Sequence, residues 1–207
     1  MRIEFLGVSG SGKTFIAEKL YPELKNKYPD IIWPYKRLYQ NHSHAIRNII
    51  KLFYVTIYSI LHFTWILKLG AVISNSIHGT SSQRFILFFN GIYLKFEMER
   101  NKNVTTIFDE GVAQYIWALC LRNKRMLSIE EFRSIIQLFG CPEVVHVIYA
   151  SPKTIAKRIK ERGRRVYIQR TENIESDIKF MQDIQRQIVE CFSDCYQKIQ
   201  INIVKND

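Results

Sequence analysis

The sequence predicts an α/β protein with a doubly wound parallel sheet of about five strands and helices on both faces. Three observations predict this class. A glycine-rich loop joins a first apolar run to a helical segment, and short apolar runs then recur between longer helical segments. In addition, 47% of the 207 residues are hydrophobic and 24% are charged, which fits one compact domain, 1–207, with a sizeable core.

The first element is a short strand that runs into a loop of small residues. Ile3 and Phe5 alternate with polar neighbours, and the residues from 7 to 14 read GVSGSGKT, a full match to the pattern GxxxxGK[ST]. Because glycine costs about 0.5–1 kcal/mol in a strand or a helix, we expect a bound polyphosphate to hold this loop. The residues predicted to line it are Gly7, Ser9, Gly10, Ser11, Gly12, Lys13 and Thr14.

The helix that follows the loop, TFIAEKL, completes a strand–loop–helix unit. Its N-terminal end carries partial positive charge and suits a phosphate. Lys13 is predicted to reach the β- and γ-phosphates of a nucleoside triphosphate, and Thr14 to be a ligand of Mg²⁺. The predicted cofactors are therefore ATP and Mg²⁺.

Four further apolar segments are predicted to complete the sheet. They are DIIWP (30–34), VTTIFD (104–109), EVVHVIYA (143–150) and QINIV (200–204). Each is short and separated from the next by helical sequence, which indicates parallel strands joined by crossover helices. Ligands of such sheets bind at the carboxyl ends of the strands, so functional side chains are expected directly after them.

Two acidic residues, Asp109 and Glu110, stand at the end of the strand segment VTTIFD. Asp109 is predicted to complete the Mg²⁺ site beside the phosphate loop. Glu110 is predicted to assist it or to act as a base. A cap on the following helix is the structural alternative for Asp109, and the two roles are compatible.

A basic run, KRIKERGRR, occupies residues 157–165 and contributes strongly to the net charge of +11. The preceding Ser151 and Pro152 favour a helix start, and Gly163 favours its end. Arginines at this end could cover a nucleotide and neutralise charge on a phosphoryl group in transfer. A nucleic-acid patch and a solvated helix face are the alternatives.

At this point the chain resembles the thymidylate kinase branch of the P-loop nucleoside monophosphate kinases. The matching pieces are GVSGSGKT, FDEGVAQYIWAL, VIYASPKTIAKRIKERGRR and RTENIESDIKFMQDIQRQIVECF. The resemblance implies a P-loop NTPase fold, an acceptor-binding region at 30–100, and an arginine-bearing lid at 158–173 that closes over MgATP. It makes Arg158, Arg162 and Arg164 catalytic candidates and Arg165 and Arg170 nucleotide-binding candidates, and it places Phe180, Ile184, Ile188 and Phe192 on the helix after the lid.

The departures from that family concern the acceptor. WPYKRLYQ and FFNGIYLK stand where residues that recognise thymine and its phosphate are expected. The acceptor is therefore either a nucleoside monophosphate or a hydroxylated metabolite, and Glu110 suits a hydroxyl because a carboxylate can take its proton. Arg37, Arg47 and Arg84 are the predicted substrate contacts.

Residues 52–67 form an uncharged run between Lys51 and Lys68. As one helix the run would cover about 24 Å, less than the roughly 30 Å of a hydrocarbon core, which argues against a membrane span. A core helix or homodimer interface is one interpretation. A peripheral contact with a membrane or a lipid-linked substrate is the other, favoured by the positive charge.

The remaining sequence features narrow the class of function. The first apolar run is too short for a secretory signal, so a cytoplasmic location is expected. The expected partners are a nucleoside triphosphate and a small acceptor, and nucleic acid is not expected. A P-loop ATPase or switch associated with nucleic acid or membrane is the alternative, although no NKxD motif for guanine is present.

Overall fold

The computed structural model describes residues 1–41, 43–76, 80–161, 174–196 and 198–207. These residues form four strands and nine helices. In chain order they are β1 (Arg2–Gly7), α1 (Lys13–Lys27), α2 (Pro34–Asn41), α3 (His44–Leu61), α4 (Phe63–Ser76), α5 (Ser81–Arg100), β2 (Thr106–Phe108), α6 (Val112–Asn123), α7 (Ile129–Phe139), β3 (Val144–Tyr149), α8 (Pro152–Glu161), α9 (Ile174–Cys195) and β4 (Gln200–Lys205).

The strands form one parallel sheet in the order β2-β1-β3-β4. The prediction of a fifth strand at 30–34 is wrong, because Ile32 makes only an isolated parallel bridge to Thr106. Its N–H donates to Thr105 O and its carbonyl accepts from Ile107 N–H, both at 2.9 Å. Pro34 then begins α2, so the segment turns away after one bridge.

The sheet is covered by helices on both faces, as the sequence predicts. On one face, Ile3 and Phe5 of β1 pack in a cluster with Ile16 and Ala17 of α1. On the other face, Val147 belongs to a larger cluster that includes residues of α6 and α9. Helices α2 to α5 lie between the loop at residue 33 and β2, where the sequence predicts the acceptor-binding region.

The apolar run at 52–67 is not one helix. The chain bends by 108° between Ala45–Leu61 and Phe63–Ser76. At the bend, His62 N–H donates to Tyr58 O at 2.9 Å, and His62 O accepts from Ile66 N–H at 3.1 Å. Neither Pro nor Gly lies at the bend, so packing sets it: Tyr58 is buried on one side of the break and Leu69 on the other. No single described helix is long and apolar enough to cross a membrane, although this bent pair passes that test by length and composition.

The C-terminal helix α9 presents one apolar stripe to the core. Ile184, Ile188 and Phe192 are buried as the predicted helix requires. Phe180, which was predicted with them, is exposed because Ile178 and Met181 occupy the stripe at that level.

Of the predicted lid at 158–173, residues 158–161 belong to the described end of α8. Residues 162–173 lie outside the described part of the chain.

Candidate active site

The phosphate loop lies between the end of β1 and the start of α1, where the sequence predicts it. Gly12 precedes the helix with φ 95°, in the left-handed region that favours glycine, and a side chain there would overlap Asn206. Lys13 Nζ donates to Gly7 O at 2.7 Å, so the ammonium group lies over the loop. Thr14 is exposed on the first turn of α1.

Two side chains from the C-terminal half hold the loop through one carbonyl. Ser11 O accepts from Asn206 Nδ2 at 2.7 Å and from Arg158 Nη1 at 3.3 Å. Arg158 Nη1 also donates to Asn206 O at 2.9 Å. The predicted lid arginine Arg158 therefore lies beside the loop on α8, tied to its backbone, while Arg162, Arg164, Arg165 and Arg170 lie outside the described residues.

Asp109 follows β2 directly and is only 3% exposed. Trp33 Nε1 donates to its Oδ1 at 3.4 Å. Burial and then the neighbouring Glu110 charge raise the pKa of Asp109 to about 7, although Trp33 and Lys13 oppose the shift. The carboxyl group thus changes charge near neutral pH, while Glu110 is exposed beside it.

A second buried carboxyl group, Glu4, supports the site from β1. Its Oε2 accepts from Ala113 N–H at 2.9 Å, at the N-terminal end of α6. Burial raises the pKa of Glu4, against the charge of Arg2 and the hydrogen bonds from α6. The sequence interpretation missed this residue, although an acidic residue inside the first buried strand is a signal because such strands are nearly continuous apolar runs.

A cavity of about 350 Å³ is lined by Lys13, Asp109 and Glu110 and extends to helices α2, α3, α5 and α6. This volume lies in the range of small-molecule sites. The described lining carries two lysines, Lys13 and Lys51, and three carboxylates, and it has no arginine. Its side chains come from Ser9, Lys13, Pro34, Tyr35, Leu38, Lys51, Leu87, Asn90, Tyr93, Leu94, Glu97, Ile107, Phe108, Asp109, Glu110, Gln114, Tyr115, Trp117 and Ala118.

A hydrogen-bonded group on α5 forms one wall of the cavity. Tyr93 O–H donates to Glu97 Oε1 at 3.0 Å, and Glu97 also pairs with Arg100 at 2.9 Å. Asn90 lies one turn before Tyr93 on the same wall. The sequence interpretation missed this set, but polar residues spaced by three and four positions along an apolar helix were a usable signal.

The predicted substrate arginines are not brought to this cavity in the part of the chain that is described. Arg47 lies on α3 and Arg84 on the first turn of α5; both are half-buried, and neither is among the residues that line the cavity. The side chain of Arg37 lies outside the described residues. The cationic groups that do line the cavity are lysines.

The residues at the sheet edge fit a nucleotide with Mg²⁺. Hydroxyl and carboxylate oxygens are the ligands that Mg²⁺ prefers, and Thr14, Asp109 and Glu110 supply them. Ser11 Oγ is buried in the loop without a hydrogen-bond partner in the protein. A bound phosphate could accept a hydrogen bond from this hydroxyl. Within the described ranges, no group of three or more His, Cys, Asp or Glu side chains is arranged so that it could hold a metal ion.

Comparison with known proteins gives structural matches. No protein-family model matches the chain, and no curated protein matches its sequence. Deoxyadenosine kinase from M. mycoides with bound dATP matches with a TM-score of 0.52 at 14% identity, over 99% of this chain and 91% of that chain. The same kinase with the products dCMP and dCDP gives 0.51 at 15% identity, over 99% and 90%. Thymidylate kinase from Ehrlichia chaffeensis gives 0.48 at 12% identity, over 100% and 87%.

The parallel sheet, the phosphate loop at its edge and the structural matches together define the P-loop kinase fold. The chain shares that fold with deoxyadenosine kinase over nearly its whole length. The predicted fold class is therefore confirmed, with four strands in the described residues where about five were expected. At 14–15% identity the match establishes the fold alone.

Proposed function

We propose that the protein is an ATP-dependent kinase that transfers the γ-phosphoryl group to a hydroxyl of a small acceptor. One observation carries this proposal: the same cavity is lined by Lys13 of the phosphate loop, by Asp109 and Glu110, and by polar and apolar side chains of α5. The part of the cavity beside α5, called the chamber here, is lined on that helix by Leu87, Asn90, Tyr93, Leu94 and Glu97. A donor at the loop and an acceptor in the chamber would meet at the two carboxylates. Such proximity is the main contribution of a kinase to phosphoryl transfer.

The charge of the lining favours a hydroxyl over a phosphate as the acceptor. An acceptor phosphate is a dianion and needs several cations, yet the described lining has two lysines beside Asp109 and Glu110, while Glu97 is paired with Arg100. The carboxylates of Asp109 and Glu110 would repel that dianion in a site partly shielded from water. A neutral acceptor avoids this repulsion.

Each residue at the sheet edge then has a defined task. The loop N–H groups and Lys13 bind and orient the phosphates, while Thr14 and Asp109 hold Mg²⁺. Mg²⁺, when bound, neutralises charge on the phosphate oxygens. Glu110 takes the proton of the acceptor hydroxyl as its oxygen bonds to the γ-phosphorus, and the bond from phosphorus to the β,γ-bridging oxygen breaks to release ADP. Arg158 fixes the loop, and Arg162, Arg164, Arg165 and Arg170 are proposed to cover the nucleotide.

A nucleoside is the acceptor that the chamber suits best. Tyr35, Phe108 and Trp117 supply flat apolar surface for a ring, and Asn90 and Gln114 supply carboxamides that can donate and accept at a base edge. Gln114 is already oriented, because its Oε1 accepts from Gly7 N–H at 3.2 Å. The deoxyadenosine kinase that shares this fold acts, by its name, on such a compound.

Other predictions concern the setting of this activity. A cytoplasmic location stays a prediction, which cell fractionation tests. The predicted homodimer and the predicted membrane contact at 52–67 compete for the same surface, because both would cover the exposed side of α3.

The test is release of ADP from MgATP, measured with the full chain against two acceptor panels, nucleosides and nucleoside monophosphates. We expect stimulation by a nucleoside. Lys13→Ala is expected to lower it at least about 100-fold, because a cationic contact to the phosphates is lost. Lys19→Ala, at an exposed lysine on the same helix, is the matched control and is expected to retain activity.

Stimulation by nucleoside monophosphates alone would contradict the hydroxyl acceptor. Glu110→Gln tests the base separately, since it keeps the size of the side chain and removes the proton acceptor. Unchanged turnover of that variant at saturating ATP and nucleoside would exclude Glu110 as the base. ATP hydrolysis without any acceptor effect would favour the ATPase alternative.

A further inference from the structure

One side of α3 is apolar and exposed to solvent. The set, called the α3 face here, consists of Ile46, Ile49, Leu52, Phe53, Ile57, Ile60 and Leu61. Their exposed fractions range from 39% to 74%. Spacings of three and four residues place them along one broad stripe of the helix. Among the α3 side chains that the structure describes, no exposed one is charged. In a helix of a globular protein this stripe ordinarily faces the core.

The α3 face is not required to attach α3 to the protein. The opposite side of the helix already packs on α5, where Tyr54 stacks on Phe96 at 4.5 Å and Tyr58 meets the same ring edge-on at 6.2 Å. Val55 and Tyr58 are buried there. The helix therefore has two apolar sides, of which the described core uses one.

The exposed apolar surface continues from α3 onto the next helices. Phe63 and Leu67 of α4 and Phe85 and Ile86 of α5 are also exposed. A groove of about 450 Å³ lies between α3 and α5, and its described lining has no charged side chain. That lining consists of Leu52, Val55, Thr56, Ser59, Ile60, Phe63, Phe85, Phe88, Phe89 and Ile92. Contiguous apolar patches of this kind mark interaction surfaces.

The segment of the chain that carries the α3 face is rich in basic residues. Between Asp30 and Glu97 the sequence has no aspartate or glutamate. The same stretch has seven basic residues, Lys36, Arg37, Arg47, Lys51, Lys68, Arg84 and Lys95. By contrast, α9 exposes both signs, such as Glu175, Lys179 and Asp183.

This charge distribution selects the partner. In a symmetric dimer the same patch meets itself, so the net positive charge of this segment would face the same charge on the second copy. An anionic lipid surface attracts a positively charged segment, by about fivefold in binding for each basic residue that lies near the surface. The apolar side chains then enter the boundary between headgroups and acyl chains, as in helices that lie in the membrane plane.

We propose that the α3 face, with Phe63 and Phe85 beside it, docks the protein on a membrane that contains anionic lipid. Helix α3 lies parallel to the membrane and does not cross it, in agreement with the 108° bend at its end. Lys51, on the same helix, lies 5.0 Å from the Tyr93 ring and lines the cavity, so docking brings the cavity close to the lipid surface. Only this last consequence rests on the proposed kinase activity.

The experiment is flotation of the full chain with vesicles, without ATP or acceptor. We expect the protein to float with phosphatidylcholine vesicles that contain phosphatidylserine and to float less with phosphatidylcholine alone. Raising the salt concentration is expected to weaken binding, since it screens the basic residues.

The variants test the apolar contribution. Phe53→Gln with Ile60→Gln is expected to weaken binding roughly tenfold or more, because two side chains no longer enter the apolar layer. Ile203→Gln is the matched control: Ile203 is 64% exposed on the edge strand β4, far along the chain from α3. It is expected to bind like the unmodified protein. Circular dichroism melts of all three proteins verify that each is folded.

Three results would overturn the proposal. The first is failure to float with anionic vesicles, and the second is binding that Phe53→Gln with Ile60→Gln leaves unchanged, which would mean charge alone. The third is a dimer in light scattering that this double variant dissociates while vesicles bind nothing. Flotation and ADP release are measured separately, so each proposal can fail without the other.

Discussion

The carboxyl edge of the sheet buries polar side chains, whereas the helices from α2 to α5 include one that exposes large apolar side chains. At the sheet edge, the polar residues Glu4, Ser11 and Asp109 are buried. On α3, Ile60 and Leu61 are more than 70% exposed. Both regions depart from the usual distribution, in which carboxylates are outside and large aliphatic side chains inside.

The comparison teaches that two kinds of site depart from that distribution for different reasons. A buried carboxyl group has a raised pKa and can bind a cation or take a proton, which suits chemistry. Covering an exposed apolar stripe with a partner removes it from water and lowers the free energy, so such a stripe suits docking. The first kind of site needs a pocket and the second needs a face, and this fold provides one on each side of α5.

The largest expected effect sharpens the contrast between core and exposed apolar residues within α4. Leu69 is fully buried and Leu67 is 57% exposed. Leu69→Ala is expected to lower the free energy of unfolding by about 2–5 kcal/mol, because it removes core contacts and leaves a cavity. Leu67→Ala is expected to change it by less than about 0.5 kcal/mol. Urea unfolding measures both, and equal losses would mean that the surface around Leu67 is covered in solution.

The second prediction concerns the cost of burying a carboxyl group. Asp109→Asn is expected to reduce ADP release at least about 100-fold and to raise the free energy of unfolding at pH 8 by up to about 4 kcal/mol. The reason is that a group whose pKa is raised on folding stabilises the protein at low pH and loses that contribution as the pH rises through about 7. The gain in Tm should therefore be larger at pH 8 than at pH 5.

Thermal melts at both pH values test this sign. Asp30→Asn, at an exposed aspartate, is the control and should leave Tm nearly unchanged at either pH. A lower Tm of Asp109→Asn at pH 8 would show that the ionised carboxylate is stabilised by its surroundings.

The third prediction tests how closely Glu4 approaches the loop after Asp109. A side chain at Gly111 would overlap the Glu4 carboxyl group, while its φ of −86° suits any residue. Gly111→Ala is expected to destabilise by about 1–3 kcal/mol through this collision. Gly70→Ala on α4 is the control, since its Cβ would meet Phe88 at an ordinary 3.7 Å. The control should be neutral or slightly stabilising, and equal behaviour of the two variants would contradict the close approach.

The smallest effect is a pH profile. Because the pKa of Asp109 is about 7, its ionised fraction rises about tenfold between pH 6 and pH 8. We expect kcat/KM at low Mg²⁺ to rise over that interval, since the proposed role of Asp109 as a Mg²⁺ ligand needs the ionised carboxylate. Saturating Mg²⁺ should shift the rise to lower pH by favouring the charged form. A flat profile at both Mg²⁺ concentrations would remove Asp109 from the metal site.

Several parts of this structure could be predicted because they depend on neighbouring residues or on a general rule of topology. The loop from Gly7 to Thr14 follows from local sequence. The position of Asp109 follows from the rule that parallel strands place their carboxyl ends at one edge. Other features depend on distant packing: Pro34 starts a helix after one bridge, and the uncharged run at 52–67 bends at His62.

The cavity lining could not be predicted for the same reason. Lys51, Asn90 and Gln114 are separated by many residues in the sequence and meet only because α3, α5 and α6 pack together. The predicted contacts Arg47 and Arg84 were chosen by charge, but burial and orientation decide which cation reaches the cavity.

The sequence by itself determined the phosphate loop, the parallel sheet and the net positive charge of residues 31–96, because these follow from residue identity and short-range spacing. Only the tertiary structure decided which side of α3 is buried and which is exposed. It also decided that Asp109 is enclosed enough to hold its proton near neutral pH. Both outcomes depend on which surfaces exclude water, and that is a property of packed elements and not of the chain alone.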